Sequence, residues 1–332
     1  MKQIFIRLIA ISLGVLISLC LAELTTRFAG FEPWRYSPKD LGEPTMHEFD
    51  PILGWKNKPG HYSYPAYRGV GPNVQVTFLN DGSRATSGNH IHASSTKSVV
   101  FVGCSFTEGW AVSDYETYPW KLQEKFPAAK FYNYGTAGYG TYQSLLMLER
   151  VLPRIKSPAA VIYGFIVNQE PRNIAPAEWL WLLSIYSHRA HTYLPYVTVD
   201  LNGKLIRHAP EKYVTFPFRE QSALVTLSEE WYMRFKTRGR MEQGHQATEN
   251  LILEMQKLAN SYGAPLIVVL LNGSVRQRYF YRTFFDINGI MNIDCSVPST
   301  TDLKVPGEGH PNGRQHSLWA KCISDHLQEV LK

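Results

Sequence analysis

Ser105 stands in Gly103-Cys104-Ser105-Phe106-Thr107, directly after the apolar run from Ser98 to Val102, and His310 stands near the other end of the chain in Glu308-Gly309-His310-Pro311-Asn312. A hydroxyl at a strand exit and a late imidazole are the equipment of acyl transfer: the imidazole takes the hydroxyl proton and the oxygen attacks a carbonyl. Two further stretches would complete such a site. Asn133-Tyr134-Gly135-Thr136-Ala137-Gly138-Tyr139-Gly140 follows a predicted strand, and its glycines let backbone amides approach a ligand closely. Asn168 closes the predicted strand Ala159 to Phe165, so its side-chain amide can reach the same sheet edge. Negative charge builds on the carbonyl oxygen in acyl transfer. The Ser105 amide, the Gly138 amide and the Asn168 side chain would supply three fixed donors for it, each worth about 3 to 4 kcal/mol.

These residues need a scaffold that brings distant parts of the chain to one edge. From Ser98 onward, short β-branched runs alternate with helical patterns: strand Ser98 to Val102, helix near Tyr118 to Phe126, strand Phe131 to Tyr134, helix Thr141 to Val151, strand Ala159 to Phe165. The rhythm stops at Asn173 to Gly244, which carries Trp179, Trp181 and a hairpin from Tyr196 to His208 turned at Asn202-Gly203. It resumes with helix Gln246 to Tyr262, strand Pro265 to Leu271 and a last helix Gly313 to Val330. Alternation of this kind predicts an α/β fold with a parallel sheet, whose C-terminal edge is where ligands bind. The Trp-bearing insertion serves either as a binding surface for a sugar or lipid chain or as a local core of its own.

The N-terminus is of another kind. Lys2 and Arg7 precede the apolar stretch Leu8 to Ala22, and residues 4–24 come close to the roughly 20 residues needed to span a bilayer. Positive charge before the span orients the rest of the chain to the extracytoplasmic side. Cleavage after Ala22, which would release a secreted protein, is the alternative to an uncleaved anchor; a lipoprotein reading through Cys20 is disfavoured by Leu19 before it. Residues 25–97 read as a stalk and a small β-rich segment, with the turn Asn80-Asp81-Gly82 and the alternating stretch Val74 to Leu79. Residues 98–332 read as the catalytic domain, with the insertion at about 173–244.

Composition narrows the function. The 332 residues are 44% apolar, enough for a substantial core, and the net charge of +6 comes from scattered Lys and Arg with no run resembling a nucleic-acid arm. The glycines of 135–140 do not follow the order of a dinucleotide fingerprint, and the histidines and cysteines have no paired ligand spacing, so neither cofactor nor metal is expected. Of the cysteines beyond the span, Cys295 with Cys322 is the one pair considered for a bridge, two buried thiols being the alternative. Glu108, Asp114 and Glu116 read as a polar loop and helix start, with Asp114 or Thr117 as the N-cap. His316 is a rival base, expected on the last helix in a structural hydrogen bond.

The four blocks taken together resemble the SGNH hydrolase superfamily, the GDSL-like esterases and acyltransferases, over about two thirds of the chain from Ser98 to the C-terminus. The resemblance implies a three-layer α/β/α sandwich with a mainly parallel sheet. It implies Ser105 as nucleophile, Gly138 and Asn168 as oxyanion donors and His310 as base. Two departures stand out: Cys104 where an Asp is common, as in some membrane-anchored members, and no Asp beside the histidine. Glu308 is the expected orienter of His310, with Asp302 as the fallback. The implied function is an extracytoplasmic serine esterase or O-acyltransferase acting on acyl esters, acetyl groups of an envelope polysaccharide being the favoured substrate. The alternatives are a lipase or thioesterase for longer chains and a catalytically silent glycan-binding or assembly protein.

Overall fold

A computed structural model describes residues 2–35, 45–88, 97–186 and 193–332, without the side chains of 185 and 186. The first helix, α1 (Lys2–Phe28), is followed by two small antiparallel hairpins, β1 (His47–Asp50) with β2 (Gly54–Asn57) and β3 (Gly60–Tyr64) with β4 (Val74–Phe78). Next come β5 (Lys97–Gly103), α2 (Ser105–Glu108), α3 (Tyr118–Lys125), β6 (Ala129–Asn133), α4 (Thr141–Val151) and β7 (Pro158–Ile166). The interrupting region holds α5 (Glu170–Asn173), α6 (Ala177–Tyr186), the hairpin β8 (Leu194–Val199) with β9 (Leu205–Glu211), and α7 (Ala223–Lys236). The chain finishes with α8 (Gly244–Ser261), β10 (Leu266–Asn272), α9 (Val275–Ile287), β11 (Met291–Asp294) and α10 (Gly313–Leu331).

Five strands form one parallel sheet in the order β11-β10-β7-β5-β6. Strand polarity alone forces the layers: alternate residues of a strand face opposite sides, and here both sides are covered. Val99 and Phe101 of β5, Ile162 of β7 and Val269 of β10 pack with Leu122 of α3 and Trp319 and Ile323 of α10. Their neighbours Val100, Val102, Tyr163 and Val268 pack with Leu145 and Leu148 of α4, Leu251 and Met255 of α8 and Phe285 of α9. The fold is therefore a three-layer α/β/α sandwich with a parallel sheet. The chain runs from β5 outward to β6, then returns past β5 to β7, so the strand order reverses between β5 and β7. A crevice opens at such a switch point at the C-terminal strand ends.

The hairpins at 47–78 are bonded into this body. Leu53 and Trp55 join the main core, and Asp50 forms a two-pronged salt bridge with Arg150 of α4 at 2.7 and 2.9 Å. Burial pushes the Asp50 carboxyl up, but the Arg150 fork and the amides of Leu53 and Ile52 outweigh it and bring it down to about 2. Trp179 and Trp181 are half-buried against the main core, with the Arg172 guanidinium 4.7 Å from the Trp179 ring, so the insertion packs into the core of the sheet domain instead of forming one of its own. The hairpin turn is longer than the Asn-Gly pair implies: it runs from Asp200 to Lys204, and the Asp200 carboxylate accepts from the amides of Asn202 and Lys204. Cys295, just past β11, is bridged to Cys322 of α10, their Cα atoms 5.8 Å apart, while Cys104 is a buried free thiol. Helix α1 is long and apolar enough to cross a membrane, with a mean hydropathy of 2.6.

His316 lies on α10 and accepts a hydrogen bond from the Tyr118 amide at 3.2 Å, its ring sandwiched by Tyr118 and Trp319. It is a packing residue. Full burial, reinforced by the charges of Arg84, Lys121 and His310, pushes it down to about 3. An imidazole in the unfolded chain charges below about pH 6.5, so between there and about 3 the unfolded state binds a proton that the folded state refuses. Folding stability should fall as pH drops through that window. In detergent-solubilised full-length protein, His316→Gln should lower stability at pH 7 yet show a shallower loss between pH 6.5 and 4 in denaturant titrations; an unchanged slope would refute the assignment.

Candidate active site

The strand exit is shaped by what a side chain would strike. Gly103 has φ +152°, and a Cβ there would meet Thr107 Oγ1 at 2.4 Å and the Gly164 carbonyl oxygen at 2.8 Å. Only glycine lets β5 lie this close to β7 and turn into α2. Cys104 follows as the N-cap, its side chain buried in the α3/α10 side of the core, and Ser105 is the first residue of α2. A first-turn residue has no intrahelical acceptor for its N–H, and Ser105 holds that position in α2.

The late block arrives on a loop tied to α10. Asn312 caps that helix, its side chain accepting from the amides of Arg314 and Gln315 and donating to the Asp302 carbonyl at 2.8 Å. Val305 N–H donates to the His310 carbonyl at 2.8 Å, and Gly307 and Gly309, with φ of +83° and +94°, let the chain curl back between them. Glu308 is thereby folded onto His310. Its carboxylate lies 2.7 and 2.9 Å from His310 Nδ1 and accepts the His310 amide at 2.7 Å. On the other side of the ring, Nε2 lies 2.9 Å from Ser105 Oγ, linking residues 205 positions apart. With Nδ1–H donated to the carboxylate, Nε2 carries a lone pair that faces the Ser105 hydroxyl. Burial alone would push Glu308 up, but the His310 side chain and amide and a hydrogen bond from Trp110 outweigh it, so its carboxyl sits below the ordinary range and stays ionised.

Asp302 is elsewhere: its carboxylate pairs with Arg314 at 2.7 Å in solvent, and it does not orient His310. Gly138, with φ +83°, sits in the loop after β6. That loop is fixed by Thr136 N–H to the Gly103 carbonyl at 3.1 Å and by Trp55 Nε1–H to the Ala137 carbonyl at 2.9 Å. Gly135 packs so closely on α2 that a Cβ would meet the Glu108 nitrogen at 2.3 Å. Asn168 is exposed in a 3₁₀ turn just past β7. Gln169 beside it is buried, its Oε1 accepting from the Ile166 amide and the Tyr163 hydroxyl. Ser105, Gly138 and Asn168 thus follow the C-terminal ends of the three adjacent strands β5, β6 and β7.

The acidic group after Ser105 differs from its sequence reading as a polar loop. Glu108 is 1% exposed and faces His47 Nε2 at 3.6 Å, and Asp114 is buried against Arg84. Thr117 caps α3, while Glu116 accepts the Ser113 amide in a capping box. The reason is a cation that the sequence does not flag. Arg84, 1% exposed, donates from Nε to Asp114 at 2.9 Å, from Nη1 to the carbonyls of Glu108 and Gly109, and from Nη2 to that of Val112 at 2.6 Å. Its fork clamps the loop that carries Trp110. Trp110 lies between two histidine–glutamate pairs: its ring stacks on His47 (centroids 6.0 Å, 18° between planes) and touches His310 (6.4 Å, 51°). Arg84, Trp110 and His47 were missed because each contact crosses between segments distant in sequence.

No protein-family model and no curated protein sequence matches the chain. In three dimensions it is similar to a member of the lipolytic protein G-D-S-L family from Veillonella parvula, at 12% identity and a TM-score of 0.41 over 69% of this chain and 97% of that one. It is likewise similar to TesA (13%, TM-score 0.41, 70% and 99%) and to a putative lipolytic G-D-S-L protein from Desulfitobacterium hafniense (14%, TM-score 0.41, 69% and 98%).

Removing one member of a buried charged network leaves the others unpaired, which typically costs about 3 to 5 kcal/mol. Arg84→Met should destabilise the protein by about that amount in denaturant titration. Arg84→Lys, which keeps charge but not the fork, should recover only part of it. A loss of under about 1 kcal/mol, the worth of an exposed pair, would contradict the clamp.

Proposed function

We propose that this chain is a serine esterase or O-acyltransferase working through Ser105, His310 and Glu308. One observation carries the reading: a continuous hydrogen-bonded run from the Ser105 hydroxyl through His310 to an ionised Glu308, at the sheet's switch point. A packing role would not require an imidazole held at both nitrogens with its hydroxyl partner at a helix start.

In the proposed cycle His310 Nε2 takes the proton as Ser105 Oγ bonds to the ester carbonyl carbon, and Glu308 stabilises the imidazolium that forms. The Ser105 and Gly138 amides and the Asn168 side chain hold the oxyanion. Collapse breaks the ester C–O bond, and the imidazolium gives its proton to the departing alcohol. The acyl-enzyme is then discharged to water or to a second hydroxyl, the branch that separates hydrolysis from transfer. The preferred substrate is an acetyl ester of an envelope glycan, with the sheet domain on the extracytoplasmic side of the membrane. Lys2 and Arg7 at the start of α1, ahead of its apolar stretch, and the resemblance of the four blocks support this.

Ser105→Ala should keep the fold and abolish both aryl acetate turnover and labelling by a fluorophosphonate probe; a silent glycan-binding protein would stay unlabelled in its native form. Glu308→Gln keeps the shape but loses the charge that holds the tautomer, and should lower kcat by about 10² to 10⁴. Full activity in either variant would refute the mechanism. Rates on acetyl and octanoyl esters decide the acyl group: a steep decline with length is expected, and a preference for octanoyl would favour the lipase or thioesterase reading.

A further inference from the structure

Helix α1 does not hang from the protein by a loose linker. Its last turns are bonded into the insertion, where the Glu23 carboxylate accepts from the Ser222 hydroxyl at 2.6 Å and from the amides of Ala223 and Leu224 at 3.0 and 2.9 Å. These are the unsatisfied donors of the first turn of α7, so a residue of the apolar helix caps another helix some two hundred positions away. Arg27 Nη2 donates to the Gln221 carbonyl at 2.8 Å, and Trp34 lies 4.0 Å from the Arg219 guanidinium.

Helix α7 has two opposed faces. Ala223, Thr226, Glu229 and Met233 are buried, the last against the main core. The outward face, at spacings of three and four, carries Leu224, Leu227, Trp231 and Phe235, with Trp231 69% and Phe235 51% exposed and their rings stacked 5.8 Å apart. Phe218 in the entering loop is also exposed, at 73%. Arg234 is exposed on the same helix, and Arg238 just beyond it lies over the Phe235 ring at 4.1 Å. Stacked, exposed Trp and Phe flanked by cations are the composition of a helix that lies at a lipid surface.

The depth follows from the cap. The uncharged run of α1 ends at Ala22, so in a spanning helix Glu23 stands where hydrocarbon gives way to headgroups. The first turn of α7 is hydrogen-bonded to that residue and stands at the same level, the zone that Trp and Arg favour. We propose that α7 is a membrane-interface helix, its Leu224-Trp231-Phe235 face seated in the headgroup zone of an anionic bilayer beside α1. The span and α7 then form one rigid bracket that sets the height of the sheet domain above the membrane. This takes α1 as an uncleaved span and is independent of the serine chemistry, so failure of either leaves the other standing.

The test uses the full-length protein in phosphatidylglycerol-containing vesicles. Cys20→Ser removes the exposed thiol, and Ser228→Cys, one turn from Trp231 on the outward face, takes an environment-sensitive fluorophore with both aromatics intact. Ile287→Cys, 79% exposed on α9, is the control. The label at 228 should emit to the blue of that at 287 and be quenched by nitroxide-bearing lipids, and Trp231→Ser with Phe235→Ser should restore a water-like signal. A water-like label at 228 overturns the proposal. So does a label shielded from iodide but untouched by lipid nitroxides, which means a protein cover, and so does release of the protein by alkaline carbonate.

Discussion

A single buried guanidinium holds the site's surroundings together. Arg84 belongs to the segment between the small hairpins and the sheet, yet its side chain ends among the carbonyls of the loop that leaves Ser105, and its amide donates to the Asn133 carbonyl at the end of β6. Folding withdraws this cation from water, which is tolerable only when its donors are met with good geometry; three carbonyls and the Asp114 carboxylate meet them. The requirement couples three parts of the chain. The segment around 45–88, the sheet edge and the loop bearing Trp110 can reach their places only together, so the first of these is a structural partner of the site rather than an appendage.

The same loop sorts the carboxylates. Glu108 is closer in sequence to Ser105 than Glu308 is, but it is buried against His47, whose ring stacks on Trp110, while Glu308 faces His310. Trp110 also donates a hydrogen bond to Glu308, which helps keep that carboxyl ionised although burial opposes it.

Much of this was readable from residues alone where local pattern and tertiary demand agree. The Gly103 turn, the helix Thr141–Val151 and the i, i+2 placement of Glu308 and His310 are local features. What escaped was set by long-range contact. β11 is a four-residue edge strand, Met291 to Asp294, too short and too polar to announce itself, and α9 is written in aromatics, Tyr279 to Phe285, that favour strands as readily as helices. α7 escaped because its outward aromatics blur the amphipathic signal. Arg84 sits in Asp81-Gly82-Ser83-Arg84, where a surface turn is the ordinary inference and nothing local hints at burial.

His310 and Glu308 ride on one short curl of chain, whereas the Ser105 hydroxyl rides on another element altogether. Displacement of the curl would move imidazole and carboxylate as a single body, preserving their bond and stretching only the seam to Ser105. The vulnerable distance in this molecule is therefore one, not two. Its keepers are the Asn312 cap, the Val305 strap and the Phe106 edge against the imidazole, none of which carries charge.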